Sequence, residues 1–106
     1  MEGRHQAPMG AGMRTENVEI YTDQSNAVVL RHPGRKFPGV LVQGDTLYAL
    51  WQQADEACAE VRGELPEGLD ELRSKLRELV DHYKVVLETH GVPLPFYERP
   101  SGSGTE

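Results

Sequence analysis

The sequence contains a single cysteine, Cys58. Without a second thiol no internal disulfide can form, and one thiolate cannot supply a zinc set. Long apolar runs are missing too: nothing approaches the ~18 consecutive apolar residues of a membrane span. One early arginine, Arg4, is followed by no apolar signal core. A cytoplasmic protein with no membrane association is the resulting expectation. Positive charge is also scarce, with 11 Lys and Arg against 17 Asp and Glu, a formal net charge of −6. Phosphate neutralisation supplies most of the affinity of nucleic-acid binders, so this balance argues against direct nucleic-acid binding. It is compatible with a basic protein partner, because opposite fields steer association. Mild acidity also serves solubility alone.

Chemistry-bearing constellations are absent as well. Four histidines occur, His5, His32, His82 and His90, and no pair has the four-residue spacing of a helical zinc site. Ser25, Ser74 and Cys58 have no base at a diagnostic spacing, so nucleophilic catalysis has no support. Gly34, Gly39 and Gly44 do not form a phosphate loop. No catalytic residue, metal or cofactor is therefore expected, and the chain reads as a non-enzyme.

What is there is a strand, a turn and a strongly periodic helix over residues 37–61. Val40, Leu41 and Val42 form a short apolar run bounded by Pro38-Gly39 and Gly44, which is strand-like. Gly44 can take positive φ and turn the chain. Asp45 or Thr46 can cap the helix that follows, a contribution of typically ~1 kcal/mol. Leu47, Leu50, Trp51, Ala54, Ala57, Cys58 and Val61 then mark one amphipathic stripe. Cys58 lies on that stripe and reads as a small buried hydrophobe.

Upstream, Asn17 to Thr22 alternates like a strand with one wet face. Asp23 to Asn26 is a polar turn, and Ala27 to Leu30 a second strand, apolar on both faces and so central. Pro33-Gly34 marks a turn inside the basic loop from Arg31 to Lys36. Downstream, Pro66 suits a helix start. Leu69, Leu72, Leu76, Leu79, Val80, Tyr83 and Leu87 form the stripe of a long second helix, with Glu71–Lys75 and Arg77–Asp81 as surface pairs. Gly91 fits a left-handed cap and Pro93 forbids continuation. The aromatic pair Phe96-Tyr97 has reason to fold back and be buried.

The expected fold is α+β: a three-stranded antiparallel sheet in the order β-β-β-α-α, covered by two amphipathic helices. Residues 1–15 read as a disordered N-terminal segment, 16–97 as one domain and 98–106 as a flexible tail. A core this small, with an edge strand left open, points to a homodimer through sheet edge or helix face.

Against the acidic trend stand Arg31, Arg35 and Lys36; without them the chain carries 8 basic and 17 acidic residues, a balance of −9. Such a loop suits an acidic partner or a phosphate, or simply stays solvated. Arg31, His32, Arg35 and Lys36, with Tyr48 and Trp51 on the first helix, are the candidate partner-binding residues.

Phe37-Pro38-Gly39, then Gln43-Gly44-Asp45-Thr46-Leu47, then Ala54 and Glu56-Ala57, resemble the HicB-like antitoxin family over about residues 18–61. Gly91-Val92-Pro93-Leu94-Pro95 is similar to a segment that family often carries after its helix. Tyr48 and Ala49 stand where the family usually has two acidic residues. The segment Pro33-Gly34-Arg35-Lys36-Phe37-Pro38-Gly39 also resembles one found in small bacterial proteins of unknown function. The HicB resemblance implies a partial ribonuclease-H-like fold without catalytic carboxylates, binding a small basic RNA-cleaving toxin and blocking its active surface. The function so expected is an antitoxin-like or immunity-like protein-binding module. The alternative is a structural or regulatory subunit of a homo-oligomer or larger complex.

Overall fold

A computed structural model describes residues 12–98. Five elements follow one another: β1 (Glu19–Thr22), β2 (Val28–Arg31), β3 (Gly39–Leu41), α1 (Gly44–Ala59) and α2 (Glu67–Thr89). This is the β-β-β-α-α order of an α+β chain. One compact unit ends at Gln43 and a second begins at Gly44. The expected disordered segment over 1–15 and flexible tail over 98–106 fall mostly on residues 1–11 and 99–106, outside the described residues.

The first unit is an antiparallel sheet in the order β1-β2-β3. Glu19 pairs with Arg31 and Ile20 with Leu30; the register then shifts, so that Thr22 meets Val29 and Tyr21 forms a bulge. Val28 pairs with Leu41, Val29 with Val40 and Leu30 with Gly39. β2, apolar on both faces, is the middle strand and is half-buried throughout. β1 and β3 are edges, exposed along their whole lengths. The loop between β2 and β3 turns at Pro33-Gly34, where the Arg35 N–H donates to the His32 carbonyl at 2.9 Å.

The second unit is a helical hairpin, and every buried apolar residue among those described lies in it: Tyr48, Ala54, Cys58 and Val80. α1 and α2 run antiparallel, because partners descend along α2 as they ascend along α1. Gly44 lies against Tyr83, Trp51 against Arg77, Asp55 against Arg73 and Cys58 against Leu69. Gly44 does not make a positive-φ turn; among the described glycines only Gly63 and Gly91 have positive φ, at 84° and 69°. Gly44 is instead the first residue of α1, and a Cβ there would overlap Cζ and Oη of Tyr83. Its missing side chain is what lets the ring lie across the helix start.

The helix ends follow local chemistry. The Asp45 carboxylate accepts from the Thr46 N–H at 2.8 Å, in the first turn of α1. Pro66 is the N-cap of α2, one place before the first turn, and its carbonyl accepts the Asp70 N–H at 3.1 Å. At the other end Gly91 takes the left-handed position expected of it. Its N–H donates to the Glu88 carbonyl and that of Val92 to the Leu87 carbonyl, the double closure of a Schellman motif. The Val86 carbonyl accepts twice from His90, from its backbone N–H at 3.2 Å and from its Nδ1–H at 3.0 Å. Arg77 and Asp81 pair at 3.0 Å. Glu71 and Lys75 form no ion pair, as fits an exposed pair that gains only a few tenths of a kcal/mol.

Candidate partner-binding surfaces

The basic loop is built on a pinned arginine. Arg31 ends β2 opposite Glu19, and its Nε donates to the Glu19 carboxylate at 2.8 Å while Nη1 donates to the Arg35 carbonyl at 2.9 Å. The hydrogen bond and the charge of Arg31 hold the Glu19 carboxyl below its ordinary value. His32 is turned inward on its own loop, its Nδ1 accepting the Gly34 N–H at 2.8 Å. Lys36 reaches back over the Phe37 ring, 5.4 Å from the centroid. Arg35 makes no ion pair among the described residues. Of the four candidate loop residues, Arg31 and His32 are thus occupied in shaping the loop, while Arg35 and Lys36 present charge to solvent.

Tyr48 and Trp51 sit on the hairpin, where a C-terminal strap, residues 93–98, folds back over them. Phe96 stacks on Tyr48 with centroids 4.2 Å apart and planes 2° apart, and lies 6.3 Å from Tyr83. Tyr48 is 7% exposed, so its ring belongs to the core. Trp51 is half-buried with the Arg77 guanidinium 4.6 Å above it. Only Phe96 of the expected aromatic pair is held; Tyr97, the next residue, is 84% exposed.

Glu98 fastens the strap. Its carboxylate accepts from Arg77 Nη2 at 2.8 Å and from Lys84 Nζ. Burial pushes the Glu98 carboxyl up, but the hydrogen bonds from Lys84 and Arg77 and their charges outweigh it and hold the group below its ordinary value. Sequence reading placed Glu98 in the tail and left this clamp unseen. The signal available was Arg77 and Lys84, two cations seven residues apart at the border of the apolar stripe, which need an acidic partner.

Charge is unevenly divided. Residues 12–43 carry 4 basic and 3 acidic residues, a net of +1, whereas 44–98 carry 5 basic and 12 acidic, a net of −7. Glu56, Glu60, Glu71 and Glu78 are among the exposed carboxylates of the hairpin. Among the described residues no group of three or more His, Cys, Asp and Glu is placed to hold a metal ion. None of their helices is long and apolar enough to cross a membrane.

Residues 13–96 match the model of a family of unknown function, DUF6959. The chain belongs to this family. The DUF6959 match takes in all five elements and the Phe96 ring that closes over α1. No curated protein matches the chain, and no solved structure does.

Proposed function

We propose that this DUF6959 protein is a non-enzymatic protein-binding module, antitoxin-like or immunity-like, that neutralises a basic partner. One observation carries the reading: the net charge of −7 is concentrated on the helical hairpin. Twelve carboxylates on one small unit repel one another, and a basic surface laid against them relieves that repulsion and is steered to it. The resemblance of residues 18–61 to HicB-like antitoxins supports a small basic RNA-cleaving toxin as the partner class. Arg35 and Lys36 would then meet an acidic segment of the partner, not its basic body. The test is co-expression of the tagged chain with the products of its flanking genes. A small basic protein should co-purify at low salt and be released at high salt. If no flanking product binds, the reading fails.

A second reading, a structural or regulatory subunit of a homo-oligomer, is favoured by a separate observation. Leu72 and Leu79 on α2 are 51% and 54% exposed although they belong to its apolar stripe.

A further inference from the structure

The strap is held to the hairpin by side chains alone. Leu94, Phe96 and Glu98 are half-buried, while Pro93, Pro95 and Tyr97 between them are exposed. Pro93 and Pro95 have no N–H to donate. Among the described residues no backbone–backbone hydrogen bond ties 93–98 to either helix. The contacts that join α1 to α2 at Cys58 and Leu69, and at Asp55 and Arg73, involve no residue of the strap. Pairing of the helices and seating of the strap are thus separate sets of contacts.

The strap fills a groove with two chemical demands. Phe96 lies flat on Tyr48, with Tyr83 on its other flank 6.3 Å away. Two positions on, the Glu98 carboxylate takes both Arg77 and Lys84. Arg77 has a second carboxylate, that of Asp81 at 3.0 Å. Lys84 has no other acidic partner among the described residues, so lifting the strap leaves a half-buried ammonium unpaired. Unpaired charge and bare aromatic faces are both unfavourable, and a ring and a carboxylate at the same spacing relieve them together. A basic segment would meet Arg77 and Lys84 as like charge, and an aliphatic one would leave Lys84 unsatisfied.

We propose that the strap is a self-ligand, and that Tyr48, Tyr83, Arg77 and Lys84 form a peptide-binding groove. Its ligand is a partner segment with an apolar residue, an aromatic residue and a carboxylate at alternate positions, as in Leu94, Phe96 and Glu98. The bound strap excludes that segment, and the segment displaces the strap. The groove takes an acidic segment, so it is independent of the basic-partner reading. A partner already held elsewhere on the chain offers its segment at a ~millimolar effective concentration and so competes with a tethered strap.

The test is a titration of the full chain with a synthetic peptide of residues 92–98, capped at both ends. Trp51, the chain's only tryptophan, is the fluorescent reporter, and the peptide has none. In the chain carrying Phe96→Ala and Glu98→Ala the groove is vacated, and the peptide should bind it saturably at one site. Peptides with Phe96→Ala or Glu98→Lys should bind about tenfold more weakly or worse. The wild-type chain should also bind the unaltered peptide about tenfold more weakly or worse, because the groove is free only in molecules whose strap is off. No saturable change in a vacated chain that keeps its far-UV helical signal overturns the proposal. Equal affinity for wild type, or for the altered peptides, overturns it too. If the vacated chain loses its helical signal, Glu98→Ala alone takes its place under the same outcomes. Loss of the signal there as well makes the strap part of the fold and overturns the groove.

Discussion

Gly44→Ala separates local helix propensity from the packing that the hairpin imposes. On propensity alone the substitution is favourable by up to ~1 kcal/mol, and by less at a helix's first residue. In the fold the new methyl would overlap the tip of the Tyr83 ring. To make room Tyr83 must leave its place against Gly44, where its ring also lies 6.3 Å from that of Phe96. Loss of an aromatic contact is worth about 0.5–1.5 kcal/mol beyond its buried area, and overpacking typically ~1–3 kcal/mol. Because the obstructing atoms are the far end of a side chain, the lower part of that range applies, and we expect a net destabilisation of about 1–2 kcal/mol. For a unit of this size that lowers Tm by roughly 5–10 °C. Thermal and urea unfolding followed by far-UV circular dichroism would measure it. In a Tyr83→Ala background the same change should become neutral or mildly stabilising, since the obstruction is gone. A Gly44→Ala protein as stable as wild type with Tyr83 present would refute the close approach as the reason for glycine.

Two further perturbations address the strap. Phe96→Ala removes the ring stacked on Tyr48; because Phe96 is half-buried, the loss should be about 1–2 kcal/mol, below the ~3–5 of a fully buried Phe, and Trp51 fluorescence should change as the strap lifts. Glu98→Gln removes the negative charge and one of the two oxygens that Arg77 and Lys84 share, and sets an amide NH2 donor against a cation; it should destabilise by roughly 1–2 kcal/mol at neutral pH. The pH dependence has a fixed sign. Glu98 titrates lower when folded than when unfolded, so its contribution is complete above the unfolded carboxylate value and is lost as pH falls through the folded one. Wild type should therefore lose more stability than Glu98→Gln between neutral and acid pH, and unfolding curves that run parallel would contradict the clamp.

The elements were legible in sequence because each is marked by its own neighbours. Pro38-Gly39 and Gly44 bracket a short apolar run, and β3 occupies Gly39–Leu41. The stripe from Leu69 to Leu87 lies inside α2, and Gly91 ends it as the cap chemistry requires. What escaped was anything decided by a distant partner. Gly44 was legible as a turn former, but the reason for it is Tyr83, on the other helix. Glu98 lies 14 residues from Lys84, too far for helical spacing to reveal. The periodicity that gathered Leu50, Leu72 and Leu79 into stripes could not tell a packed row from a bare one, because apolar spacing records amphipathicity and not what covers it. The candidate surface was legible only in part. The excess of acid was visible in composition, while its concentration on 44–98 emerged once the two units were defined.

The central claim is that the acidic hairpin docks a basic protein. It is tested most directly by the affinity for the co-purifying basic partner, measured by titration calorimetry from about 50 to about 200 mM salt. The account predicts that affinity falls steeply with salt for wild type, and that Glu71→Lys with Glu78→Lys both weakens binding and flattens the salt dependence. Binding that is insensitive to salt and to this reversal would contradict it.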